Sequence, residues 1–443
     1  MIRSNRSRAL VALLAVLALI AAACGGGRED SSSDEENEAA AESTGDEAAE
    51  YLHVDDCEGD FTQGVTDDTI KIGSSFPQSG TFAAFAQIST GYQAYFDYVN
   101  EELGGIDGRQ IEFRHVDDEF DPAKGSAALT KFIEDDKVFA IVGHFGTPVV
   151  AATVGTLKES GIPSVYFATG IGQLYAESAK TDAEGANLFP VQPIYRNEGG
   201  IMAAYATGKF KAKKIGIIYT NDDAGMDLEK GAVAAIKKMS GVEYVEQQVA
   251  AGAADVSAAV TSIKNANVDF IIVAAIQATM PTIVKELAAQ GVKKDAITTY
   301  VNVSSAMSKA VIADINGKFN LYGPGWVDYT SDIAKASLKE YQANVDAKYA
   351  TNAYAQTGWI AATFFVEGLK RLKGKTVTWD SYKKALESAP IQNPFGGSID
   401  FANGARKGTQ EMNLAKVVAT DPANPSGWQQ VEPLQSIDKL LTK

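Results

Sequence analysis

Gly146, Thr147 and Pro148 hold the most usable chemistry in this 443-residue chain. They follow an apolar, strand-like run and open a helix-like one, with proline suited to the first helical position. The free backbone N–H groups of such a start, with the Thr147 hydroxyl beside them, converge on one point and suit a carboxylate. Thr147 also reads as a plain helix cap, and both roles stay open. Phe167-Ala168-Thr169-Gly170 ends the next strand-like run in small residues, as a tight turn requires. Gly170-Ile171-Gly172 begins like a dinucleotide fingerprint, but Tyr175 stands where a third small residue belongs. The chain has neither a GxxxxGK[ST] phosphate loop nor a GxSxG elbow. Of three histidines, His144 at a strand end reads as a satisfied structural residue, His115 alternates within a strand and His53 precedes the fold. With two cysteines besides, neither a metal cluster, a cofactor nor an enzymatic activity is expected.

The elements that must position these residues begin only after a different kind of segment. Arg3, Arg6 and Arg8 precede an apolar run from Ala9 to Ala23, the pattern of a secretory signal. The run is shorter than the roughly 20 residues that cross a bilayer. Ala21-Ala22-Ala23-Cys24 resembles the lipobox of bacterial lipoproteins, which makes Cys24 the expected lipidation site. An ordinary cleavage site with an incidental cysteine is the other reading. Residues 25–50 contain no apolar residue larger than alanine and cannot offset their ordering entropy by burial, so a disordered tether is expected over 24–66. Of the net charge of −16, residues 25–50 carry −9, the signal +3 and residues 51–443 −10. No basic face is present, which argues against nucleic acid as a partner. Cys57 has no second cysteine left to pair with once Cys24 is an anchor.

The remaining residues, about 390, exceed one ordinary core and predict two lobes. Strand patterns fall at 69–75, 110–117, 138–142 and 164–167, with helical spacing at 83–103 and after Asp121-Pro122 and Thr147-Pro148. A second series places strands at 214–219, 242–249, 268–275 and 296–301, with a further one at 319–322. Helices follow at 331–349, 354–372 and 378–388, then short strands at 397–401 and 411–418. Strands that alternate with helices predict parallel, doubly wound sheets.

Seven segments, in order, carry a resemblance. They are IKIGSSFPQSGTFAAFA at 70–86, LGGIDGRQIEF at 103–113, VDDEFDP at 116–122, FAIVGHFGT at 139–147, GIPSVYFATG at 161–170, KKIGIIYTNDDAG at 213–225 and VDFIIVAA at 268–275. Together they resemble the branched-chain amino-acid-binding family of type I periplasmic solute-binding proteins. The resemblance implies an α/β fold of two Rossmann-like lobes joined by three crossover strands, here near 190, 324 and 395. The lobes would be 67–190 with 325–395, and 191–324 with 396–443. It further implies capture of a small solute, without a cofactor, for an importer built of ABC permease and ATPase subunits, by a monomer anchored outside the cytoplasm. A sensor of the same fold, reporting to a membrane signalling partner, is the alternative.

The resemblance also assigns site residues. Thr147, with Gly146, matches the position whose hydroxyl meets the ligand, and Ala168 and Thr169 match the following strand end. Ser79 and Phe85 match the first lobe's edge, although Phe85 equally suits a core. In the second lobe the chain departs from the pattern. Ala224 replaces an aromatic residue, Ile276 and Gln277 stand where tyrosine is common, and Val301-Asn302 occupy the place of the acid that pairs with a ligand's ammonium. Asp222, Asp223 or Glu198 are the candidates to replace that acid. A buried ammonium without one is costly, so a less polar or non-amino carboxylate competes with an amino acid as ligand.

Overall fold

The computed structural model describes residues 63–179, 185–420, 424 and 426–442. The signal-like start, Cys24, the acidic stretch, His53 and Cys57 lie outside the described residues. Of the tether expected over 24–66, residues 63–66 are described and join the fold, Val65 bridging to Ile70 and Gln63 donating to the Val138 carbonyl at 2.9 Å.

Five strands form the first sheet: β1 (Thr69–Phe76), β2 (Gln110–Asp117), β3 (Ala140–Phe145), β4 (Ser164–Ala168) and β5 (Leu188–Phe189). Their order is β2-β1-β3-β4-β5 and every pair is parallel. The second sheet starts with β6 (Lys214–Thr220), β7 (Glu243–Val249), β8 (Phe270–Ala274), β9 (Ala296–Thr298) and β10 (Leu321–Gly325). After a two-stranded ribbon of β11 (Ile391–Gln392) and β12 (Ser398–Ile399), it is completed by β13 (Glu411–Val417) and β14 (Trp428–Ser436). The order is β14-β13-β10-β9-β8-β6-β7, parallel except where β13 meets its two neighbours. Sequence pattern explains the places. β3 is buried on both faces, as an unbroken apolar run in an inner parallel strand requires. β7 carries exposed Glu243, Glu246 and Gln248, and it sits at a sheet edge.

The chain passes between the sheets three times, after β5, after β10 and before β13. The last passage comes later than the expected 395. Ala176 pairs with Arg406, and Ala179 N–H donates to the Gly404 carbonyl at 2.5 Å, so 402–406 still lie against elements of the first sheet. Burial of the Arg406 side chain there delays the departure. Only at Thr409, whose N–H donates to the Val191 carbonyl at 2.9 Å, do two crossing segments run side by side.

Two other expectations shift for local reasons. The helix expected over 83–103 opens as a 3-10 turn, Gly80–Gln87, and closes as a wide turn, Tyr98–Glu102, around the α-helix Ile88–Asp97. The strand expected over 296–301 stops at Thr298, because Glu198 captures the Thr299 hydroxyl and the Tyr300 N–H. β14 was not legible, since WQQVEPLQS has no clear alternation and contains a proline.

The helix Ile88–Asp97 lies tightly on the helix Ala353–Lys370, and glycine permits it. A Cβ on Gly91 would fall 1.7 Å from the Ala355 carbonyl oxygen, and one on Gly358 2.0 Å from that of Ile88. Gly91→Ala is therefore expected to lower stability by about 1–3 kcal/mol through forced helix separation. Chemical unfolding checks this, and an unchanged midpoint would show that the helices part freely.

Candidate functional site

Beyond the carboxyl ends of β3, β4, β8 and β9 lies a cavity of about 1050 Å³, lined from both halves of the molecule. This is where open parallel sheets place ligands, since backbone N–H groups and helix starts collect there. Of the residues singled out from sequence, Phe85, Gly146, Thr147, Ala168, Ile276 and Gln277 line it. Ser79, Thr169, Ala224 and Asn302 do not.

The start of the helix Thr147–Ser160 differs from a side-chain cap. Gly146, at φ 90°, is the capping residue, and no side chain caps the helix. A Cβ there would meet the Phe120 ring at 2.6 Å, so only glycine fits. The Thr147 hydroxyl is turned instead toward Thr169 Oγ1 at 2.8 Å and the Tyr195 hydroxyl at 3.4 Å. Thr169 also accepts from Ile171 N–H at 3.2 Å. It is buried behind the wall and orients Thr147 rather than facing the cavity.

Tyr195 begins the helix Tyr195–Ala204 just past the first crossing, and its ring lies 6.0 Å from that of Tyr300. The Tyr300 hydroxyl donates to Gln192 Oε1 at 2.9 Å, and Gln192 Nε2 donates to the Tyr166 hydroxyl at 2.7 Å. This buried relay ties the second sheet's loop, the crossing and β4 together. Tyr166 holds φ 63° within its strand, the kind of backbone strain that a well-determined surrounding sustains at a site. Next to Gly146, Phe85 packs on Phe145 at 4.9 Å and edge-on to Tyr354 at 4.8 Å. Phe85 is thus both core and lining. Tyr354 and Ser304 both line the cavity, and Trp428 Nε1 donates to the Ser304 carbonyl at 2.9 Å.

The remaining sequence candidates serve the scaffold. Ser79 is exposed, beside Gln78, whose N–H donates to the Asp117 carboxylate at 2.8 Å. Ala224 is fully buried in the helix Asp223–Ile236. Asn302 donates to the Ala275 carbonyl and Thr298 Oγ1, both at 2.8 Å, while its Oδ1 accepts from Gln277 N–H at 3.0 Å. It therefore pins the loop that presents Gln277, which stands at φ 53°.

None of the candidate acids reaches the cavity. Asp222 caps its helix, accepting from Gly225 N–H and the Thr220 hydroxyl at 2.8 Å each, and Asp223 is half-buried outside the lining. Glu198 is fully buried, with Tyr300 N–H at 2.6 Å and the Thr299 hydroxyl at 2.8 Å, and burial pushes its carboxyl up to about 8. Asp118 sits behind Phe120, accepting its N–H at 2.9 Å, and burial raises it to about 6. Asp227 bridges the halves instead, accepting from Arg196 Nε at 2.9 Å and from Gly172 N–H at 2.8 Å. Among the described residues, the lining holds no Asp, Glu, Lys, Arg or His. His144 is buried below it, held near 4 by burial and hence neutral, with Nε2 2.7 Å from Thr153 Oγ1. The Thr153 hydroxyl donates to the Val149 carbonyl, so the Nε2 of His144 carries the proton and the ring has no catalytic freedom.

Comparison with known proteins agrees with this architecture. The family model described as periplasmic binding protein matches residues 69–422. A Leu/Ile/Val-binding protein homolog 1 of Brucella suis biovar 1 (strain 1330) is 24% identical over 337 residues, 74% of this chain and 85% of the relative. Among solved structures, a branched-chain amino acid ABC transporter protein of Thermus thermophilus with bound valine aligns at TM-score 0.71 and 15% identity, covering 85% of this chain and 99% of that one. A fatty acid ABC transporter substrate-binding protein from Thermomonospora curvata aligns at 0.69 and 20% identity, covering 86% and 95%. With two lobes of parallel sheet, three crossings and a cleft lined from both sides, the chain belongs to the periplasmic binding protein family, with the type I fold.

Proposed function

We propose that this protein captures a small solute in the cleft, outside the cytoplasm, and presents it to an ABC importer while tethered through a lipid on Cys24. The observation that carries the reading is a single cavity whose lining comes from both lobes. A solute touching both walls gains contacts only when they are close together, so it favours the closed arrangement by that difference. The importer would recognise the closed form. The relatives named above, which include a Leu/Ile/Val-binding homolog and a fatty acid substrate-binding protein, support solute binding as the activity. In this reading Thr147, Gly146 and Tyr195 receive the ligand's acceptor group. Phe85, Ala168, Ile276 and Gln277 shape the space around it.

Thr147→Ala is expected to weaken solute binding by about 1–3 kcal/mol, because a polar ligand group loses its partner in a dry site. Calorimetric titration of parent and variant checks this, and equal affinities would remove Thr147 from the site. The capture reading as a whole is tested by X-ray scattering with and without a stabilising solute. A radius of gyration indifferent to every solute that raises the melting temperature would overturn it.

A further inference from the structure

We propose that the cleft takes an elongated, mainly apolar ligand without positive charge, an alkyl or aryl carboxylate. The assignment rests on the solute-capture reading and deepens it. Its basis is the lining itself. No described lining residue is ionisable except through a tyrosine hydroxyl, so an ammonium entering the cavity would find no carboxylate. An unpaired buried charge of that kind costs several kcal/mol. The nearby acids are withdrawn behind the walls and committed elsewhere: Glu198 to residues 299–300, Asp118 to Phe120, Asp227 to Arg196 and Gly172.

Size points the same way. About 1050 Å³ is just above the roughly 300–1,000 Å³ usual for ligand clefts, far more than a branched-chain amino acid fills. Away from Thr147 the space is walled by Trp326, Val327, Leu338, Tyr354, Ile360 and Trp428, which suit an apolar body. Polar lining groups are hydroxyls and amides, able to meet a carboxylate or an ester-like oxygen but not to neutralise a cation. The helices Thr147–Ser160 and Ser305–Ile315 both start at the cavity, and their dipoles favour a negative group there over a positive one. The carboxylate head lies at Thr147 and Tyr195, and the apolar body extends between the lobes toward Trp428.

The test is calorimetric titration of the full chain with L-leucine, with 4-methylpentanoate (the same skeleton without its ammonium), with octanoate and with octanamide. Octanoate is expected to bind at least about tenfold more tightly than leucine, a difference of about 1.4 kcal/mol, and 4-methylpentanoate more tightly than leucine. Leucine binding as tightly as either carboxylate, or no binding by either carboxylate, overturns the ligand class. Gln277→Glu then adds a carboxylate to the lining at constant volume. It should weaken octanoate at least about tenfold more than it weakens octanamide, and an equal effect on the two ligands overturns the placement. A thermal-shift library that includes zwitterions, sugars and polyamines separates the two readings. A stabilising zwitterion sinks the ligand class and preserves solute capture, whereas a library without any stabiliser sinks capture as well.

Discussion

Arg406→Ala is expected to destabilise the protein by about 3–5 kcal/mol, the loss typical of breaking a buried pair from one side. The arginine side chain is 1% exposed and lies where the chain leaves the first lobe for the last time. Its guanidinium donates to Glu387 and to the Ala186 carbonyl, donates again to the Ala405 carbonyl at 2.9 Å, and stands 4.2 Å from the centre of the Phe189 ring. Alanine would leave a mostly buried carboxylate, an unpaired carbonyl and a void in one place. Arg406→Lys keeps the charge but neither the fork nor the planar face, so it should recover only part of the loss. Urea unfolding of the three proteins measures this. A midpoint for the alanine variant equal to the parent's would show that the crossing is held by other contacts.

The second large effect is a pH dependence centred on Glu198. Its carboxyl is raised by burial from 4.5 to about 8 in the folded protein. A carboxyl that holds its proton more tightly when folded favours folding at low pH. Stability contributed by Glu198 is therefore fully present below about 4.5, falls as pH rises toward 8, and levels off above. The steepest slope is about 1.4 kcal/mol per pH unit. Glu198→Gln should remove that slope. The amide can still accept from Tyr300 N–H through its oxygen and donate to Thr299 through its nitrogen, so the loop at 299–300 stays in place. Stability curves for parent and variant should diverge between about pH 5 and 8, the variant being the more stable at the alkaline end. Parallel curves across that interval would place the carboxyl's proton release outside it. Because Tyr300 lines the cleft and Glu198 holds its backbone, Glu198→Ala should also weaken ligand binding, which the glutamine variant should largely spare.

Much of the scaffold was legible in the chain because local pattern decided it. β2 has the expected limits, and the Gly161 end of the helix Thr147–Ser160, at φ 69°, follows from glycine's access to the left-handed region. Asp121 caps as its type and the following proline require, accepting from Ala123 and Lys124 N–H. The last crossing was placed too early because nothing near 395 announces it; the anchor, Arg406, is held by residues 19 and 220 positions away. Six of the ten residues singled out for a ligand, Gly146, Thr147, Ala168, Phe85, Ile276 and Gln277, fall in the cavity lining. Gln192, Tyr195, Tyr300 and Trp428 were missed, although a polar and an aromatic residue beside prolines at the first crossing offered a signal for the first two.

By itself the sequence determined two α/β lobes and the strand ends that would face a cleft. Those are properties of period, turn chemistry and residue type, all set within a few neighbours. The tertiary structure alone decided where the other acids went. Asp222, Asp223 and Glu198 were interchangeable on paper, and burial against distant segments turned one into a cap, left one outside the lining and made one a neutral brace. A side chain's charge state and reach depend on what the folded chain packs around it, and no local pattern records that.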